Sequence, residues 1–333
     1  ALADVAQTTE IPFLANLAAS GRGEEQALAR RILYTLPGSE VDEYLVTQLS
    51  VADEELKIEY LNAIGERNSA DVTEALLETA KTESKAVKIE AIKTLAKVAG
   101  VEDTDAVLQL LLAAESNRVR RELERSLFMV ATKKGVENAS TEPIVKALKN
   151  ATDKQNKTTL MSVLGTIGKA EDVKVLTEFL HAEDSELQLA AIRALSEWPN
   201  AVPLEEFKKV METTSDERLK AMAVKGFTQL VLNESNFKEQ KKATELGYVF
   251  GQATNDREKQ LLISALGKVP AVESLQILGE ELKSPGNLRA ELEAAIVSIL
   301  PDLTEDHRKE TIHELQRIKE YTESEEILKW LKE

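Results

Sequence analysis

The sequence predicts an all-α protein, an α-α superhelix of about nine antiparallel helix pairs, and two observations support this prediction. The first is the segment 184–198, DSELQLAAIRALSEW, in which apolar residues recur at the spacing of one face of a helix. The second is its repetition, because residues equivalent to Leu195 recur at intervals of 30 to 39 residues. These anchor residues are Leu33, Ile64, Leu95, Leu127, Leu164, Leu195, Phe227, Leu266 and Ile296. One helix pair per period of this length is typical of a solenoid, in which each pair packs on its neighbours.

Apolar spacing and helix-breaking residues give each helix its predicted bounds. Pro37-Gly38 ends the first pair, Pro199 ends the segment around Leu195, and Pro301 interrupts the pattern after the last anchor. The predicted helices are 3–19, 24–36, 40–50, 54–66, 70–81, 85–98, 104–114, 117–133, 142–150, 154–168, 171–181, 185–198, 203–213, 217–232, one ending near 252, 257–267, 271–283 and 287–299.

The array is expected to form one domain over residues 1–333, because no low-complexity linker interrupts it. Clear repeats cover residues 24–300, and the helix 3–19 precedes them. The charged and then apolar segment 302–333 is expected to form a C-terminal helical cap.

Two columns of the aligned second helices have predicted structural roles. The first column contains the residue eleven positions before each of the nine anchors, and seven of these nine residues are of types that cap helix N-termini. That column is Arg22, Asp53, Ser84, Ser116, Asp153, Asp184, Asp216, Asn255 and Pro285. Seven residues before the anchor, seven of nine residues are basic. That column is Gln26, Lys57, Lys88, Arg120, Lys157, Gln188, Lys220, Lys259 and Arg289.

The second of these columns, which we call the ladder, has two possible interpretations. A basic groove for a ligand is one of them. However, seven residues correspond to only about 20° of rotation from the anchor, which is the packed side of the helix. The preferred interpretation is structural: each side chain lies along apolar neighbours and reaches a cap residue of its own or an adjacent repeat.

A third column points away from the anchors and supplies the candidate site. Two residues before the anchor, five of nine residues are basic and none is acidic, and further arginines occur nine residues before it. The candidate partner-binding residues are Lys93, Arg118, Arg125, Arg193 and Lys225. A solvated charged face is the alternative interpretation of the same pattern. Both remain open from the sequence alone.

Composition limits the classes of function. A net charge of −16 argues against a general nucleic-acid binder, since phosphate neutralisation needs clustered cations. The absence of cysteine excludes thiol chemistry, and no apolar run is long enough to span a membrane. His307 and His313 are six residues apart, which is not the spacing of metal ligands on one helix face. The sequence therefore predicts no catalytic residue, metal or cofactor, and a monomer is favoured.

The second helices share a cap aspartate, an apolar-basic pair and an Ala-Leu-Gly type of end, seen in Asp53, Leu56-Lys57, Ile64-Gly65, Asp216, Leu219-Lys220 and Ala265-Leu266-Gly267. This pattern resembles HEAT repeats, and specifically the short bacterial HEAT-like class that includes the repeats of bilin lyases. The resemblance covers residues 24–300 and implies a HEAT-like solenoid whose second helices line the concave side. Segments 193–203, 222–231 and 256–270 also resemble a HEAT region of large exported bacterial proteins, which often carry a sugar-active domain of the 3-keto-disaccharide hydrolase type.

The functional expectation is a non-catalytic scaffold that binds a protein partner or an adjoining domain through the concave face. The first alternative is the helical portion of an exported carbohydrate-acting bacterial enzyme, and the second is a bilin-lyase-like protein. The resemblance implies export to the periplasm or cell envelope, although nothing corresponding to the sugar-active domain occurs in these 333 residues.

Overall fold

A computed structural model of the chain describes residues 8–69, 71–303 and 307–331, and in these ranges it contains twenty α-helices and no strand. The prediction of an all-α solenoid is confirmed. The chain divides into two compact units, Ala1–Lys169 and Ala170–Glu333. The prediction of one continuous domain stays a prediction.

Each unit contains five consecutive helix pairs, in which odd-numbered helices are the first and even-numbered helices the second members. The first unit contains α1 Ile11–Ser20, α2 Gly23–Thr35, α3 Ser39–Gln48, α4 Glu54–Arg67, α5 Thr73–Thr82, α6 Lys85–Val98, α7 Thr104–Leu112, α8 Asn117–Ala131, α9 Glu142–Asn150 and α10 Lys154–Ile167. The second unit contains α11 Val173–Phe179, α12 Ser185–Ser196, α13 Leu204–Thr213, α14 Glu217–Asn233, α15 Glu239–Phe250, α16 Asp256–Leu266, α17 Val272–Leu282, α18 Arg289–Ile299, α19 Arg308–Ile318 and α20 Glu325–Trp330.

The anchors form the core of both units. All nine anchor residues, from Leu33 to Ile296, have no exposed surface. Within each unit the second helices of successive pairs pack directly on one another, and the pairs from α1–α2 to α17–α18 also pack internally. Burial of these apolar faces is the main force that holds a solenoid together, because a single short helix is marginal in water.

Two predicted helix starts, those of α1 and α5, are wrong, and each has a local cause. Helix α1 begins at Ile11 after a 3-10 turn, with Pro12 in its first turn, where a proline needs no N–H partner; the predicted part at 3–7 lies outside the described residues. Helix α5 begins at Thr73, because Asn68 and Asp71 both have positive φ angles that interrupt a helix. The segment 302–333 contains a tenth pair, in which α19 packs on α17 and α20 packs on α18.

Most of the predicted cap column is confirmed by side-chain hydrogen bonds. The residues whose side chains accept a bond from the first turn are Asp53, Ser84, Asp153, Asp184, Asp216 and Asn255. Ser116 occupies the cap position of α8, but its side chain accepts no such bond. Pro285 is not a cap, since Gly286 has φ +54 and α18 begins only after Leu288.

Two helices of the second unit approach each other closely at Gly226. This residue of α14 precedes the anchor Phe227, and a Cβ atom added there would lie 2.8 Å from Cε1 of Phe207 on α13 and would also meet the Ser196 hydroxyl. Both phenylalanine side chains are completely buried. The glycine therefore allows an aromatic ring to fill the space between the two helices.

Arg67, the last residue of α4, fixes the loop between α2 and α3. Its Nε atom pairs with Asp42 at 2.7 Å, and its guanidinium also donates to the backbone oxygens of Leu36 and Gly38. Ser69 donates a second hydrogen bond to the same Asp42 oxygen at 2.5 Å. The Arg67 side chain is 8% exposed. Its hydrogen bonds therefore replace those that water would make to the Asp42 carboxylate and to the two loop carbonyl groups.

Glu234 joins the end of α14 to the loop before α13. Its carboxylate accepts hydrogen bonds from the backbone N–H of Ala201 at 2.8 Å and from the backbone N–H of Asn236 at 3.0 Å. These donors, with the N–H of Asn236 the strongest influence, lower the pKa of Glu234 below its ordinary value of 4.5.

Replacing Glu234 with glutamine should therefore reduce stability at neutral pH but not in acid. A carboxylate with a lowered folded pKa contributes stability above its unfolded pKa, and this is lost as pH falls through the folded pKa. Both tryptophans, Trp198 and Trp330, lie in the second unit, so urea unfolding can be followed by their fluorescence. The difference between wild type and variant should shrink below about pH 5. A pH-independent difference, or an equal one for exposed Glu320→Gln, would contradict this assignment.

Candidate interaction surface

The five candidate residues are all solvent-exposed in the structure. Lys93 on α6 and Arg118 and Arg125 on α8 belong to the first unit, whereas Arg193 on α12 and Lys225 on α14 belong to the second. Each unit therefore has its own basic surface on its second helices. Whether these residues bind a partner stays a prediction.

Helix α8 carries the most distinctive surface. At 100° per residue, Arg118, Arg121, Arg125, Phe128 and Met129 lie within about 100° of one another around the helix axis. Phe128 is 37% exposed and Met129 is 44% exposed, and the three arginines are also exposed. We call these five residues the α8 face. It combines guanidinium groups with an aromatic and a thioether side chain on one helix.

Three members of the α8 face were not predicted from the sequence. Arg121, Phe128 and Met129 are four residues before, three after and four after Arg125, which is the spacing of neighbours on a helix surface. Alignment of the repeats compares one position of each repeat at a time. It therefore does not reveal which exposed residues of one helix lie together.

The neighbouring second helices carry paired lysines or an uncharged residue beside the α8 face. On α6, Lys93 pairs with Glu90 at 2.9 Å, and Lys97 pairs with Glu66 at 2.6 Å. On α10, the exposed residue equivalent to Arg125 is Ser162. On α8 itself, Arg125 lies 3.9 Å from Glu122, whereas Arg118 and Arg121 form no ion pair within 4 Å in the described part of the chain, so the cationic excess comes from these two arginines.

The basic surface of the second unit has a different composition. Arg193 and Lys225 are exposed and, among the residues that the structure describes, form no ion pair within 4 Å. The positions equivalent to Phe128 are Ser196 and the buried Thr228. The surface around Arg193 and Lys225 is charged, but it has no exposed apolar side chain at the position of Phe128. The α8 face is therefore the stronger candidate for binding a protein partner.

The ladder column is structural, but its partners differ from those predicted. Six members donate to carbonyl oxygens or acids at the ends of first helices rather than to N-cap residues, namely Gln26, Lys57, Arg120, Gln188, Lys259 and Arg289. Within a pair, Gln26 Nε2 lies 2.9 Å from the Ala18 oxygen, Arg120 Nη2 lies 2.8 Å from the Ala114 oxygen, and Gln188 Nε2 lies 2.8 Å from the Ala182 oxygen. Between pairs, Lys57 reaches Glu83 at 2.6 Å and Lys259 reaches Glu281 at 2.5 Å. Donors at helix C-termini are favoured because the last carbonyl groups have no partner inside the helix.

The strongest pKa perturbation has a structural explanation. Burial, followed by its hydrogen bond to Glu59, raises the pKa of Tyr34. The Tyr34 hydroxyl donates to Glu59 at 2.6 Å, and Arg30 donates to the same carboxylate at 2.9 Å. Glu59 on α4 is 2% exposed, and both of its partners are on α2. The cluster therefore joins two helices, and its buried acid is fully paired.

The three histidines, His181, His307 and His313, are all exposed. Over residues 8–69, 71–303 and 307–331, no group of three or more histidine or acidic side chains is arranged to hold a metal ion. The helices in these ranges are also too short or too polar for any of them to cross a membrane.

Comparison with known proteins identifies the family. Residues 43–127 and 141–227, together more than half of the chain, match the sequence model of HEAT repeats. The chain belongs to the HEAT-repeat family. No curated protein matches the sequence significantly.

Solved structures agree with the family at the level of fold. The structure of Kap121p matches with a TM-score of 0.55 and 10% identity over 99% of this chain and 42% of that protein. The structure of Kap95p binding RanGDP matches with a TM-score of 0.52 and 14% identity over 92% of this chain and 46% of that protein. This HEAT-repeat chain thus spans less than half of either protein. At such identity the likeness shows the fold alone.

A bilin lyase also occurs among the similar structures. The CpcE–CpcF complex of phycocyanin lyase from Nostoc sp. PCC7120 matches with a TM-score of 0.32 and 17% identity, over 69% of this chain and 95% of that chain. That TM-score is too low to support a lyase-like function for this HEAT-repeat chain.

Proposed function

We propose that this HEAT-repeat chain is a non-catalytic interaction protein that binds a protein partner, or an adjoining domain, through the exposed side of its second helices. In HEAT arrays this side is the expected concave face. The observation that carries the proposal is the α8 face, where Phe128 and Met129 are exposed beside three arginines.

The composition of the α8 face is typical of a binding surface. Aromatic residues, methionine and arginine are enriched in interfaces, and tryptophan, tyrosine and arginine dominate the residues whose truncation weakens binding most. An exposed phenylalanine loses contact with water when a partner covers it, which favours association. The partner that fits best has an acidic surface with an apolar residue at its centre.

Electrostatics supports the same choice of partner. The chain as a whole carries a charge of −16, whereas the surfaces around Arg125, Arg193 and Lys225 are locally basic. A local positive potential attracts an acidic partner at short range, while the overall negative charge repels acidic proteins that do not fit.

Reversing Arg125 and Arg193 to glutamate should weaken partner binding without unfolding the chain. Both side chains are exposed, so thermal melting should change little. The partner is first identified with a photo-crosslinking amino acid at position 128. Its affinity for the double variant is then measured, and we expect a loss of about tenfold or more, which decreases with added salt.

The matched control is Lys146→Glu on the first helix α9, which reverses an exposed charge on the opposite member of a pair. This variant should bind as the wild type does. Equal loss for both variants would indicate a general charge effect. Normal binding by the double variant would contradict the proposal and would mean that these basic residues only face solvent.

The resemblance of segments 193–203, 222–231 and 256–270 supports a narrower proposal about location. In this version the HEAT region belongs to an exported bacterial protein, and its partner is an adjoining domain. The sequence of the complete gene provides the test. A secretory signal and a sugar-active domain in the same polypeptide support it, and a gene without either contradicts it.

A further inference from the structure

A cavity of about 500 Å³ lies between the third and fourth helix pairs of the first unit, away from the α8 face. Its volume is within the usual range for small-molecule sites, about 300–1,000 Å³. Its floor is apolar and its rim is cationic. The floor includes Ile92, Leu110 and Leu123, and the rim includes Lys81, Lys85 and Lys88.

The cavity lies beside Lys88, a ladder lysine that forms no ion pair within 4 Å in the described part of the chain. Between the second and third pairs, Lys57 and Glu83 form an ion pair at 2.6 Å. The equivalent residues one repeat later are Lys88 and Glu115, which both line the cavity. No ion pair within 4 Å joins them, although both belong to the described part of the chain. The third pair therefore has a ladder lysine without its acid.

The charges around the cavity are unbalanced. Of the two acids in its lining, Glu83 is already paired with Lys57, which leaves Glu115 beside three amines. Lys88 is half-buried, and its amine has no carboxylate within ion-pair distance among the described residues. An anionic group that enters the cavity would supply the missing partner.

We infer that this cavity binds a small carboxylate with an aromatic or aliphatic body. The carboxylate accepts charge-assisted hydrogen bonds from Lys88 and its neighbouring amines, and the body covers Ile92, Leu110 and Leu123. This inference does not depend on the proposed protein–protein function, because none of the rim or floor residues belongs to the α8 face.

The test is calorimetric titration of the full chain with hydrocinnamate at low ionic strength. Hydrocinnamyl alcohol has the same body without charge, and acetate has the same charge without the body. We expect saturable binding of hydrocinnamate and at least about tenfold weaker binding of either analogue, because both contacts are needed. No saturable binding, or equal binding of the alcohol, would overturn the inference.

Variants locate the binding within the chain. Lys88→Met keeps most of the side-chain volume but removes the charge, and it should weaken binding by about tenfold. Ala113→Phe keeps the lysines and occupies the cavity, so it should abolish binding.

Lys220→Met, at the equivalent ladder position of α14, is the matched control and should bind normally. Wild-type affinity in both cavity variants, or equal loss in the control, would show that hydrocinnamate binds elsewhere. Melting curves confirm that each variant is folded.

Discussion

Replacing Phe207 with alanine should destabilise the second unit by about 3–5 kcal/mol, the largest effect that we expect from a single substitution. The ring is completely buried between α13 and α14 and lies over Gly226, so its removal leaves a cavity that the helices cannot fill by small movements. Urea unfolding followed by tryptophan fluorescence measures this, since Trp198 and Trp330 both report on the second unit.

A double-mutant cycle distinguishes this contact from general loss of core volume. Gly226→Ala alone should cost about 1–3 kcal/mol, because the added Cβ meets the Phe207 ring. In the Phe207→Ala background the same change should cost less, since the ring contact is gone and only the Ser196 hydroxyl still meets the added Cβ. Additive effects would show that the two residues are not in contact.

Replacing Arg67 with alanine should destabilise the first unit by about 2–4 kcal/mol. The substitution removes the ion pair to Asp42 and leaves the carbonyl groups of Leu36 and Gly38 without this donor. No tryptophan is present in the first unit, so far-ultraviolet circular dichroism should record its loss of helix. Tryptophan fluorescence should report an unchanged second unit.

Two controls accompany this prediction. Arg67→Lys keeps the charge but lacks the planar fork that reaches several acceptors at once, so it should recover only part of the stability. Arg218→Ala removes an exposed arginine and should have an effect below about 0.5 kcal/mol. Full recovery by lysine would mean that only the charge of Arg67 is important.

The core and the helix starts could be predicted from the sequence because both depend on local patterns. Burial of every anchor follows from a spacing that brings apolar residues to one helix face. The cap at Asp216 follows from a side chain that bonds to the first turn of its own helix. The start of α18 was predicted at residue 287, but the left-handed Gly286 delays the helix until after Leu288, and this backbone conformation does not follow from the apolar spacing.

Contacts between elements could be predicted less well. The ladder lysine Lys57 was expected to reach a cap residue, but its partner Glu83 ends a first helix of the next pair. The Arg67 cluster was not predicted, because it joins residues about thirty positions apart through loop carbonyls. The cavity beside Lys88 was not predicted, because it is lined by residues of two helix pairs. Such features depend on side-chain reach across the fold rather than on periodicity.

The two kinds of ladder contact have different consequences when repeats are gained or lost during evolution. The bond from Gln188 to the Ala182 oxygen is internal to its pair, so it is copied intact when that pair is duplicated. The ion pair of Lys57 with Glu83 crosses from one pair to the next, so a pair inserted between them would separate lysine from acid. Duplications that keep internal contacts and avoid these crossings should therefore be tolerated most easily, and the junction between α4 and α5 should resist insertion.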